Sequence, residues 1–187
     1  YILERTDTIT TMKLQKLAFY SQALHLVNNG TPLFPEDFKH GEGAGAPELY
    51  ALHRGKFLIR PGELGNAGTS EGLTEEERTL IAAVCGAMSE ATGADLSQRT
   101  HAESPWLDAR KGLAPSEPSA TVITKQAMRN YYQTNSVLRD YEPRARDALI
   151  QHTTAAEYSR RHLVEISVRA SLNAPTFQQL GPDLVNE

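Results

Sequence analysis

The residues whose types and spacing come closest to chemistry are Thr100-His101-Ala102-Glu103, with Asp108 a short step downstream. A histidine beside a carboxylate can act as a general acid–base pair or supply two metal ligands. The spacing does not suit a helical zinc site, which sets two histidines at i and i+4, and His152 and His162 lie far along the chain. We therefore expect His101 to hydrogen-bond a turn and Glu103 to cap the helix that follows, with no catalytic residue and no metal ligand assigned. No serine sits in a Gly-x-Ser-x-Gly elbow, and Cys85, the single cysteine, lies mid-helix on an apolar stripe with no histidine close in sequence. A buried thiol with no internal disulfide is the expectation. The glycines of RPGELGNAGTSEG lack the lysine and the preceding strand of a phosphate-binding loop, so no cofactor is expected. Tyr20, Tyr50, Tyr131 and Tyr132 with nearby arginines could stack on bases, but a net charge of −4 argues against nucleic acid as the main ligand. Trp106, the only tryptophan, is expected to anchor the core.

The elements that must position these residues are helical. The stretch from Leu73 to Arg110 looks like the one around which the chain is built. Thr74 and Glu77 form a capping-box pattern, Leu80, Ile81, Val84, Cys85 and Met88 make one apolar stripe, and Glu75, Glu76 and Arg78 face water. Gly93 reads as its stop. Ser104 and Pro105 read as N-cap and first residue of a short helix carrying Trp106, Leu107 and Ala109, ended by Gly112.

Upstream, residues 1–8 read as a lead-in. Thr10 or Thr11 caps a helix that runs to Asn29-Gly30, with Leu14, Leu17, Ala18, Leu24 and Val27 inward and Lys13, Gln15 and Lys16 on a solvated face. Residues 31–47 are rich in proline and glycine and read as loop. Pro47 opens a short helix, PELYALHRG, with Leu49, Tyr50 and Leu52 turned inward, and Phe57 to Ile59 suits one strand. Val122 and Ile123 read as a lead-in to a helix from Lys125 to Tyr132 rather than a second strand. Beyond Asn135, apolar residues at threes and fours predict a further helix from Glu142 to Leu172, and its arginines are offset by acidic neighbours.

The expected class is thus mainly α: a compact helical domain over 1–135 with at most one or two short strands, plus a helical C-terminal extension over 136–187. With 187 residues, 40% of them apolar, one real core is affordable and a second complete domain is not expected. No apolar run approaches the roughly 18 residues of a membrane span, and no signal peptide is seen, so a cytoplasmic protein without a membrane partner is expected. The chain opens on Tyr1 rather than Met, from which we expect its native start to lie upstream.

Three blocks in fixed order, MKLQKLAFYSQALHL, PELYALHRG, and LTEEE leading through LSQRTHAESPWLDARKG to VITKQAMRNYY, resemble the Panacea domain family of SocA-like antitoxins, found in bacteria and in phages and prophages. The resemblance spans about residues 10 to 133. One departure is plain: members of the family carry a Trp and a Gly-Pro-Val-type turn ahead of Pro-Glu-Leu-Tyr, whereas this chain reads FKHGEGAGAPELY. We read it as residues missing between Phe38 and Pro47. The resemblance implies an antitoxin that is not an enzyme and that binds and neutralises a cognate protein toxin. In one bacterial member the antitoxin acts as an adaptor that hands the toxin to an AAA+ protease, so such a protease is a second implied partner. The motif positions carried over as partner-binding are Lys13, Lys16, Tyr20, Tyr50, His101, Trp106 and Arg110, which can serve the fold as readily as the partner. The helix after Asn135 lies outside the resemblance and is expected to be a variable arm that selects the partner. The alternative is a hydrolase or transferase in phage–host conflict that uses His101 and Glu103.

Overall fold

Thirteen consecutive residues of one helix, Leu14 to Leu26, are buried, and the rest of the fold wraps around them. A computed structural model describes residues 1–39, 45–65, 70–113, 120–138 and 141. In chain order these form α1 (Ile2–Thr6), β1 (Ile9–Thr10), α2 (Thr11–Asn29), β2 (Phe38–Lys39), α3 (Pro47–His53), β3 (Leu58–Ile59), α4 (Glu75–Ala87), α5 (Gly93–Ala102), α6 (Ser104–Ala109), β4 (Val122–Ile123) and α7 (Lys125–Thr134). The fold is helix-dominated, as expected. Residues 1–8 are more than a lead-in, for they contain α1 and run directly into β1.

The organising element is α2 rather than the helix after Leu73. Helices α1, α3, α4, α5 and α7 all pack on it. Its apolar residues occur on every side, with Leu14, Leu17, Ala18, Phe19, Ala23, Leu24 and Leu26 all buried, so no face is left for solvent. The Thr10 side chain accepts from the Lys13 N–H at 3.1 Å to start it, and Gly30, in the left-handed region at φ 75°, ends it.

Burial on all sides overturns the expected solvated face, because Gln15 and Lys16 are buried with the rest. The polar residues of α2 are accommodated by fastening loops to it. Gln15 accepts the Ala46 N–H at 2.9 Å and lies 3.0 Å from His53 Nε2. Gln22 accepts the Leu33 N–H at 2.7 Å and donates to the Phe34 carbonyl at 2.9 Å. His25 Nδ1 sits 2.8 Å from the Thr31 carbonyl. Apart from the Gln15–His53 contact, each bond satisfies a buried side chain and a loop backbone group together, which holds the loops on a fixed course.

Helix α4 follows its pattern: the Thr74–Glu77 capping box forms, and Leu80, Ile81, Val84, Cys85 and Met88 are buried. Gly93 does not stop it. Helix α4 ends at Ala87, and Gly93 begins α5 under a second capping box between Thr92 and Asp95. A Cβ on Gly93 would stand 2.9 Å from both the Lys13 nitrogen and Thr10 Oγ1. The glycine is there so that α5 can start against the first turn of α2.

Among the described residues the strands are four two-residue pieces in two antiparallel ladders. β1 pairs with β3 in the register Ile9↔Ile59 and Thr10↔Leu58. β2 pairs with β4 in the register Phe38↔Ile123 and Lys39↔Val122. Val122 and Ile123 are therefore a strand and not a lead-in; their partner lies far upstream, out of reach of local pattern. Two smaller corrections concern short helices. Tyr50 and Leu52 point outward from α3, and His53, held against Gln15, is the buried residue. In α6 the N-cap position belongs to Glu103, with Ser104 as first and Pro105 as second residue. The expected helix over 142–172 lies outside the described residues, as do residues 40–44 of the stretch between Phe38 and Pro47 where residues were expected to be missing.

Candidate partner-binding surface

The seven residues carried over from the family pattern fall into separate places. Lys16 and Tyr20, one turn apart on α2, meet under the α5–α6 junction, where Glu103 carries the only acidic side chain buried among the described residues. Glu103 Oε2 accepts the Tyr20 hydroxyl at 3.1 Å and the Tyr132 hydroxyl at 2.5 Å. Its Oε1 accepts Arg99 Nε at 3.1 Å. Arg99 also donates to the Val137 carbonyl at 2.8 Å and lies over the Tyr20 and Tyr141 rings at 4.9 and 5.4 Å. Tyr20 bonds Thr100 at 3.1 Å. One carboxylate thus joins α2, α5, α6 and α7.

Electrostatics in this pocket follow from burial. Desolvation raises the Glu103 carboxyl above its ordinary value, and the Tyr132, Arg99 and Tyr20 contacts pull it back. Tyr20 and Tyr132 are raised by the same burial and by the neighbouring carboxylate, so both remain hydroxyl donors. Lys16 is fully buried, and its Nζ has no hydrogen-bond partner among the described residues. Burial lowers its pKa to about 8, with the charge of Glu103 opposing the shift. Such a cluster locks elements together; its oxygens are occupied by the protein itself.

His101, Trp106 and Arg110 form a second group. The His101 and Trp106 rings stack at 4.1 Å with 21° between planes, and the Arg110 guanidinium lies 5.5 Å from the Trp106 centroid. His101 is in the last turn of α5, not in a polar turn. Glu103 occupies the N-cap position of α6, yet its side chain makes no capping bond there and turns into the core. Histidine and carboxylate therefore diverge, one to an aromatic stack and the other to two tyrosines and an arginine. No group of three or more metal-ligating side chains occurs among the described residues. Lys13 is apart from both groups and donates to the Ser89 carbonyl at 2.6 Å.

Tyr50 belongs to a third place, which sequence reasoning missed. Of the six large apolar side chains exposed on the described surface, five are Met12, Tyr50, Leu52, Phe57 and Leu58. Tyr50 and Leu52 come from α3, Met12 from the first turn of α2, and Phe57 and Leu58 from the start of β3, which the β1–β3 ladder sets beside α2: the Thr11 N–H donates to the Phe57 carbonyl at 2.9 Å. Phe57 is 76% exposed. Arg54 lies 5.8 Å from the Tyr50 centroid, and Lys56 and Arg60 flank Phe57 and Leu58 in the run RGKFLIR. The signal available beforehand was that run, an aromatic–aliphatic strand bracketed by cations.

A family model described as "Antitoxin SocA-like, Panacea domain" matches residues 14–107, just over half of the chain. The chain belongs to this family. The Panacea match opens on Leu14, the first buried residue of α2, and closes just past Trp106. It takes in Lys16, Tyr20, Glu103 and the exposed Tyr50–Leu58 face, whereas Tyr132 reaches Glu103 from outside it. No curated protein and no solved structure matches the chain. Among the described residues, no helix of this Panacea protein is long and apolar enough to cross a membrane.

Proposed function

We propose that this Panacea protein is an antitoxin of a bacterial or prophage toxin–antitoxin pair, acting in the cytoplasm by binding a cognate protein toxin and neutralising it. Membership of the SocA-like antitoxin family carries the reading. The described structure supports it in two ways. The buried Glu103 network and the His101–Trp106 stack give a rigid body and direct His101 and Glu103 to different partners. The exposed apolar residues of α3 and of the Phe57–Leu58 edge, with Arg54, Lys56 and Arg60 beside them in sequence, have the composition of a docking surface. Of the carried-over residues, Tyr50 contacts the partner in this reading, with His101, Trp106 and Arg110 as a second contact group and Lys13 as a separate contact. Lys16 and Tyr20 hold the body from within.

The test is co-expression. The product of the neighbouring reading frame should arrest growth alone and should not do so when this chain is present, and the two should co-purify. If no such neighbour is poisonous, or if rescue occurs without any complex, the reading fails. Delivery to an AAA+ protease is the second mode the family allows; it is distinguished by toxin half-life, which falls on co-expression only if the antitoxin is an adaptor. The arm over 136–187 is tested by truncation after Tyr141 rather than Asn135, since Val137 and Leu138 are both 1% exposed and part of the core. Unchanged toxin affinity in that truncation would remove the arm from partner selection.

A further inference from the structure

The β1–β3 ladder leaves one edge open, and the residues along it specify what can fill it. In the register Thr10↔Leu58 with the Thr11 N–H bonded to the Phe57 carbonyl at 2.9 Å, Thr11 and Phe57 form a hydrogen-bonded pair. The adjoining pair, Thr10 and Leu58, is then of the non-bonded kind, so the N–H and C=O of Leu58 point away from β1. No described backbone group pairs with them. The neighbouring groups are used: the Lys56 N–H donates to the His53 carbonyl at 3.0 Å, and the Arg60 N–H donates to Glu63 at 2.9 Å. One donor and one acceptor are thus presented side by side on an exposed edge.

The side chains beside that pair are apolar and cationic. Phe57 and Leu58 are 76% and 48% exposed, and residues 54–60, RGKFLIR, hold three cations and no anion in a chain whose net charge is −4. Glu63 balances part of this, lying 3.6 Å from Lys56. Glu63 also feels the charge of Arg60, which leaves one carboxylate against three cations, with Arg54 over the Tyr50 ring. An occupant of this edge must bring a backbone N–H and C=O, apolar side chains to cover Phe57 and Leu58, and negative charge to meet the arginines.

We propose that the Phe57–Leu58 edge is where an extended segment of the partner polypeptide, alternating acidic and apolar residues, adds as a further β-strand. This rests on the antitoxin reading and specifies the chemistry of the toxin segment it captures. Strand addition supplies affinity through the main chain, and the flanking charges select sequence.

The probe is a fluorescein-labelled heptapeptide alternating Glu with Val and Ile, titrated against the full chain by anisotropy. A counterpart with Lys for Glu and another with an N-methyl group on its central residue complete the set. The acidic peptide should bind and weaken as salt rises; the lysine peptide should not bind. N-methylation, Phe57→Ser, or Lys56→Glu with Arg60→Glu should each reduce affinity by about tenfold or more. These positions are exposed, and far-ultraviolet circular dichroism verifies that the variants fold. No binding of the acidic peptide, binding untouched by Phe57→Ser, or preferential binding of a single-stranded oligonucleotide would each overturn the proposal. Co-expression separates the two levels. If the wild-type chain rescues growth and Phe57→Ser rescues equally, the edge is refuted and the antitoxin reading stands. If the wild-type chain rescues nothing, the antitoxin reading falls, and the peptide titration still decides whether the edge takes an acidic strand.

Discussion

Lys16→Met tests the account of the buried network most directly. Lys16 is fully buried beside Glu103 and its Nζ has no hydrogen-bond partner among the described residues. Its pKa falls from an ordinary 10.5 to about 8, a gap equivalent to about 3 kcal/mol of stability withheld from the folded state near neutral pH. Methionine keeps an unbranched apolar stem and removes the ammonium. Glu103 then loses a favourable charge, so the net gain should be smaller, about 1–2 kcal/mol.

The pH dependence has a fixed sign. Because the folded value lies below the unfolded one, the unfolded chain holds more protons between about 8 and 10.5. Wild-type stability should therefore gain from Lys16 as pH climbs through that window, a gain the variant lacks. Urea denaturation of both proteins, near neutral pH and near pH 10, reads the difference. The advantage of Lys16→Met should be largest near neutrality and shrink toward pH 10. A variant less stable than wild type near neutrality, or a stability difference that does not change with pH, would refute the reasoning.

Glu103→Gln strands Arg99 and Lys16 as uncompensated buried cations and weakens the bonds from Tyr20 and Tyr132, so it should cost about 3–5 kcal/mol by thermal or urea unfolding. Adding Lys16→Met to it should restore part of that loss, and strict additivity would show that the two side chains do not interact. Gly93→Ala sets a methyl group 2.9 Å from the Lys13 nitrogen and Thr10 Oγ1, and should lower stability by about 1–3 kcal/mol; an unchanged midpoint would mean that α5 can move off α2 freely. Phe57→Ser should leave the unfolding midpoint within about 0.5 kcal/mol of wild type while weakening toxin co-purification. A large loss of stability would place Phe57 in the fold instead of on a docking surface.

The amino-acid sequence by itself determined the local elements of this Panacea protein. Threonine caps, capping boxes and the stripe Leu80–Met88 act over a few residues, so the helices at Thr11, Glu75 and Lys125 were legible without any partner. Blocks such as MKLQKLAFYSQALHL and the Pro-Trp segment likewise carried the family. Tertiary structure alone decided which helix would be central, because Gln15 and Lys16 on α2 resemble a wet surface until loops and Glu103 arrive from residues far along the chain. It also decided that Val122-Ile123 would pair with Phe38-Lys39, and that Gly93 would serve close packing rather than helix termination. Glu103 shows the division most sharply. Its position before Ser-Pro-Trp fits an N-cap, yet burial makes a bare carboxylate expensive, and two tyrosines and an arginine from three helices offered it better partners than the helix end beside it.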